Sequence, residues 1–162
     1  MMQVSIAPFD WFEFLGRLHP LLLHLPIGLF AGLVLMELLS WWSPAAVAAR
    51  RTLCVAFGLS AGLTAFTGWR LGSGEGYSGA LLDDHRRLGL ATCAAAALLG
   101  FFEVLGSISS RVEALRRLAL VVCGALIILT GHHGGMITHG QRFLSEKAPP
   151  WLAPFVGPVD PE

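Results

Sequence analysis

The chain has 162 residues, 54% of them hydrophobic and 14% charged, with eleven Lys and Arg set against eleven Asp and Glu; its mean hydropathy is +0.65 and its pI about 7.0. Average soluble domains carry about 25% charged residues, and so short a chain must expose most of its surface, so a soluble domain is excluded and lipid is the expected surround. Zero net charge leaves no basic field for a nucleic acid.

In chain order, residues 1–17 read as an interfacial segment carrying Phe9, Trp11, Phe12 and Phe14. Asp10, Glu13 and the lack of Lys or Arg ahead of Arg17 argue against a cleaved signal peptide, so the first apolar segment is expected to stay. A helix needs about 20 apolar residues to cross a bilayer. Four stretches in 18–140 qualify: 18–42, 51–69, 87–106 and 115–135. Ser43-Pro44 closes the first, Gly72, Gly74, Gly76 and Gly79 loosen the second connection, and Gly106 opens the third. Short connections join antiparallel neighbours, so the predicted fold is all-α: an integral membrane up-down four-helix bundle, cytochrome b-like. The two halves each hold a long apolar helical pair, a likeness of composition that predicts no internal repeat. Residues 141–162 carry Pro149, Pro150, Pro154, Pro158 and Pro161, which cannot continue a helix. This tail is predicted to be an extended extramembrane strap resting Trp151, Leu152 and Phe155 on the interface or on a partner subunit.

The first and third connections carry arginine nearly free of acids, which by the positive-inside rule places both termini on the periplasmic side of a bacterial cytoplasmic membrane. Trp41 and Trp42 would form one interfacial belt, and Trp11, Trp69 and Trp151 the other. Cys54, Cys93 and Cys123 are isolated, with no Cys-x-x-Cys, so a thioredoxin motif, covalent haem attachment and a cysteine zinc site are set aside.

All six histidines fall at the terminal side of this topology. At about 1.5 Å per residue, His24 and His132 form a deeper tier, and His19, His85 and His139 an outer one. His133 competes with its neighbour His132, since adjacent helical residues differ by about 100 degrees in direction. Imidazoles on facing helices suit bis-histidine haem b. His24 and His132 are the expected iron ligands, and His85 with His139 or His19 those of a second haem or metal. Arg17, Arg70, Arg86 and Arg87 would meet the propionates, and Gly131, Gly134 and Gly135 would let a flat macrocycle approach the backbone. On the other side, Glu37 and Glu103 are expected to carry a proton or touch a quinone headgroup, because a carboxylate inside a membrane is costly. A non-haem Zn or Cu site built from the same histidines and a plain structural anchor are the alternatives.

The segments Leu18-His19-Pro20 to His24-Leu25-Pro26-Ile27-Gly28, Thr67-Gly68-Trp69, Asp84-His85-Arg86-Arg87-Leu88-Gly89 and Gly131-His132-His133-Gly134-Gly135-Met136-Ile137-Thr138-His139-Gly140 resemble the bacterial membrane proteins catalogued as domain of unknown function 2231, over about residues 14–145. His19, His24, His85, His132 and His139 fall on that family's motif positions. The forms resembling this chain are often linked to extracytoplasmic c-type cytochrome domains. The resemblance therefore implies redox work with a separate c-type cytochrome as partner; together with the histidine tiers, the chain is read as an electron-transfer subunit of a membrane oxidoreductase complex, with quinone as the expected other reactant.

Overall fold

The computed structural model describes residues 9–74, 78–105 and 109–158; Gly76, Gly106 and Pro161 lie outside them. Asp10 starts the first helix, α1 (Trp11–Arg17), by accepting the backbone N–H groups of Phe12 at 2.7 Å and Glu13 at 3.3 Å. Then come α2 (His19–Leu22) and α3 (His24–Leu39), which run on as one apolar stretch. Proline explains the interruptions. Pro26 has no N–H for the Leu22 carbonyl four residues back, and the Thr64 hydroxyl donates to that carbonyl instead, at 3.3 Å.

The remaining long helices are α4 (Pro44–Gly72), α5 (Ala80–Leu105) and α6 (Ser110–His139). The second, third and fourth predicted segments all begin earlier than 51, 87 and 115. Hydropathy marks only the part of a helix that lipid must cover, whereas proline at N1 and capping serines such as Ser109, which accepts the Val112 N–H at 3.3 Å, set where the helix starts. Gly140, at φ +94°, closes α6 in the left-handed region that favours glycine.

Among the described residues three helical stretches, rather than the four expected, are long and apolar enough to cross a membrane: His19–Leu39, Pro44–Gly72 and Ala80–Leu105. Fewer than a third of the residues in each apolar window are buried inside the protein. Side chains on these helices such as Leu35, Leu59 and Leu98 face outward and need lipid to cover them. The core that the helices do share is small: Leu33, Cys54, Phe57, Ala96, Leu99 and Cys123.

The tail corrects its expected extended form. It folds back through a 3-10 turn at Ser145–Lys147 and a short helix, α7 (Ala153–Val156). The Ser145 hydroxyl donates to the Pro158 carbonyl at 2.6 Å, and a Cβ on Gly157 would stand 2.7 Å from the Gln141 carbonyl. Proline at helix position N1 starts α7 as readily as proline elsewhere forbids a helix.

The expectation of no internal repeat is also corrected. In sequence, residues 16–74 align with 82–140 without a gap, at a constant offset of 66, with sixteen identical pairs. Equivalent positions are buried together: Leu33 with Leu99, Glu37 with Glu103, Cys54 with Leu120, and Phe57 with Cys123. Equivalent bonds recur as well. In the second repeat Thr92 replaces Pro26; its hydroxyl donates to the Leu88 carbonyl at 2.8 Å and meets the Thr130 hydroxyl at 3.1 Å, as Thr64 serves Leu22 in the first. The repeat escapes a compositional reading because most lipid-facing and core positions exchange one apolar residue for another, while His19/His85, Glu37/Glu103, Arg50/Arg116, Arg51/Arg117 and Thr64/Thr130 keep their identity.

Candidate functional site: a histidine pair between the repeats

The repeats meet at two polar layers. His19 and Glu37 are eighteen residues apart, or about 27 Å of helix, close to the thickness of the hydrocarbon region; His85 and Glu103 repeat that spacing. One layer therefore lies near each interface.

In the histidine layer, the rings of His19 and His85 face each other across the repeats, with centroids 6.5 Å apart and planes at 76°. Each ring is tethered the same way. His19 Nδ1 lies 3.1 Å from the Thr64 carbonyl, and His85 Nδ1 lies 3.0 Å from that of Thr130. A carbonyl can only accept, so Nδ1 carries the proton and the Nε2 lone pair is left for a ligand. Glycine makes the tether fit. A Cβ on Gly68 would stand 2.7 Å from His19 Cε1, and one on its equivalent Gly134 would stand 3.1 Å from His85 Cε1.

A cavity of about 140 Å³ adjoins the pair, lined by His19, His85, small residues such as Ala65, Gly89 and Cys93, and by Arg86. Arg86 donates to the Gly72 carbonyl, stacks its guanidinium 5.5 Å from the Trp69 ring and lies 3.6 Å from Asp83. Its Nε, like that of Arg70, is buried without a hydrogen-bond partner. Arg70 lies over the Phe12 ring at 5.2 Å. Of the four arginines expected at propionates, these two are the half-buried ones. Arg17 pairs with Glu13 at 2.5 Å and Arg87 with Asp84 at 3.5 Å, both on the exposed surface.

The other histidines are not part of the ring pair, although His133 lies near enough to His85 to interact electrostatically with it. His24 is exposed, its Nδ1 3.3 Å from the Leu21 carbonyl of its own turn. His132 stacks edge-on to His133 at 5.9 Å, and His133 Nδ1 lies 3.0 Å from the Leu129 carbonyl. His139 stacks on Phe143 at 4.6 Å. Among the described residues, no three His, Cys, Asp or Glu side chains converge as a metal-binding group.

The opposite layer engages both carboxylates that were expected to carry protons or touch a quinone. Arg50 reaches Glu37 at 3.0 Å and Glu103 at 3.1 Å; Arg116 reaches Glu37 at 2.6 Å and Glu103 at 3.8 Å. Arg51 then meets Glu103 at 3.7 Å while its equivalent Arg117 meets Glu37 at 3.2 Å. This reciprocity, each repeat's arginine on the other's glutamate, is the signature of two-fold pairing. Buried charge is tolerated here because every carboxylate is paired.

Sequence reasoning missed Thr64, Thr130 and Gly68, all of which position the pair. The offset of 66 was the signal that links Thr64 to Thr130 and Gly68 to Gly134. No known protein family, curated protein or solved structure matches the chain.

Proposed function

We propose that the protein is a four-helix membrane bundle of the cytochrome b type, a haem-carrying electron-transfer subunit in which His19 and His85 would hold the haem iron. The observation that carries this reading is the His19–His85 pair. The ring centroids lie 6.5 Å apart across the repeats, a separation that leaves room for one metal ion between two imidazoles at the usual metal–histidine bond length of about 2.0–2.1 Å.

Three features of this site fit the group. Each imidazole already donates Nδ1–H to a backbone carbonyl that fixes the ring's orientation, as metal-ligating histidines do. The lining is mostly apolar, with the orphaned Nε of Arg86 beside it for an acidic substituent. The pair offers two donors, one from each repeat, and among the described residues no group of three His, Cys, Asp or Glu forms the donor set of a tetrahedral zinc site.

Haem would supply reversible one-electron transfer. The chain's own contribution is to hold two neutral imidazoles in fixed orientation, to exclude water with apolar walls, and to neutralise acidic substituents with arginine. Electrons would pass between a quinone and an extracytoplasmic c-type cytochrome partner in a larger complex, with the histidine layer facing the periplasm. A c-type cytochrome partner is the expectation raised by the resemblance of the histidine-rich segments.

The test is pyridine haemochrome and metal analysis on purified protein and its variants. Wild type should hold haem b, His19→Ala and His85→Ala should each lose it, and His24→Ala and His132→Ala should keep it. Loss in the second pair with retention in the first would move the ligands back to His24 and His132. Stoichiometric Zn or Cu without haem would establish the metal reading instead.

A further inference from the structure

The two repeats create two seams that their symmetry makes equivalent: α4 against α5, and α6 against α3. They are not equally closed. Helices α4 and α5 pack along their length, whereas α3 and α6 touch over only a short stretch. The side chains at the repeat-equivalent positions differ. In the closed seam that position is Ala96 of α5, a small residue 1% exposed in the shared core. In the other seam the equivalent residue is Phe30, whose ring tip lies 3.1 Å from where a Cβ on Gly124 would be, and which also packs on Phe57 at 5.6 Å. The phenyl ring is a wedge that holds α3 away from α6.

The gap leads to the histidine pair. Ile27 on α3 and Gly131 on α6 both line the cavity and are both exposed, while their repeat equivalents Cys93 and Ala65 are half-buried. An engineered cavity of about 150 Å³ takes a single benzene ring, and the cavity at the pair, about 140 Å³ and open on one side, cannot hold a whole macrocycle within its walls. The remainder of a haem can lie only where the walls are open.

Resting on the haem reading above, we infer that the α3/α6 seam is a lateral entrance: haem reaches His19 and His85 from the bilayer between Ile27 and Gly131, and one edge of the macrocycle stays in the seam facing lipid. The seam is apolar on both sides, which suits a porphyrin edge and excludes water from the iron. Entry from the aqueous face would instead pass the Arg86–Trp69 stack.

The experiment uses haem-free full-length protein in liposomes whose bilayer carries hemin, with the rise of the low-spin Soret band followed in time. A Cβ on Gly131 meets nothing within 4 Å, so Gly131→Trp plugs the mouth without a clash. Ile27→Trp, at a 44% exposed position, plugs it from the other helix and serves if the first variant fails to fold. Gly62→Trp, also in open space but absent from the cavity lining, is the matched control. Uptake should slow by at least about tenfold in each folded mouth variant, equivalent to about 1.4 kcal/mol of added barrier, and stay at the wild-type rate in the control. Wild-type rates in a folded mouth variant, or equal slowing in all three, overturn the entrance. Failure of the wild type to take up haem overturns the haem reading itself, and is visible before any variant is compared.

Discussion

At the scale of single residues, glycine does the work that a ligand set alone would not reveal. The His19 ring fits only because Gly68 has no side chain, and the His85 ring only because Gly134 has none. Gly68→Ala should therefore displace the imidazole from the Thr64 carbonyl and lower haem content, whereas Gly62→Ala, whose Cβ meets nothing within 4 Å, should leave it unchanged. A haemochrome assay on both proteins decides it. Thr64 and Thr130 hold the rings through backbone carbonyls, so Thr130→Val keeps the tether to His85 and loses the hydroxyl's contacts with Thr92 and the Leu126 carbonyl. That variant should retain haem and the wild-type spectrum.

At the scale of elements, the arginine–glutamate layer binds the four long helices at the end away from the histidines. Arg116 has 3% of its side chain exposed and contacts glutamates on α3, α5 and its own helix. Removing one partner of a buried pair strands the other charge, at a cost of about 3–5 kcal/mol. Arg116→Met should thus lower the unfolding midpoint measurably in detergent, while Arg117→Met, 54% exposed at its side chain, should cost about 1 kcal/mol or less. The tail closes on itself through Ser145, Gly157 and Pro158, and contributes no histidine. Deleting residues 149–162 should leave haem content intact, and co-purification of partner subunits should fall if exposed Trp151 and Phe155 form the docking face; unchanged recovery would assign them to lipid.

At the scale of the whole molecule, the chain is two copies of a helix pair that share two polar layers. Each repeat supplies one histidine of the pair and one glutamate of the cluster, so neither is complete alone. Co-expressing residues 1–76 with residues 77–162 should restore a complex that binds haem, and either half alone should bind none. Haem in a single half would show that the pair across the repeats is not the site.

The sequence by itself determined the lipid surround, the all-helical class and the side of the molecule on which histidine collects, because composition and the length of apolar runs act through solvation, which needs no knowledge of neighbours. It also held the identity of every polar residue in both layers. Only the tertiary structure decided which histidines face each other. His24 and His19 lie five residues apart on one stretch, and whether a side chain points at the other repeat or at lipid depends on helix rotation, which is fixed by contacts such as Gly16 against the Leu71 backbone. It likewise turned Glu37 and Glu103 from lone carboxylates into members of an arginine cluster, since their partners lie 13 and 79 residues away for Glu37 and 53 for Glu103. Pairing over such distances is a property of packed helices, and the wedge at Phe30 that makes two equivalent seams unequal exists only once those helices are packed.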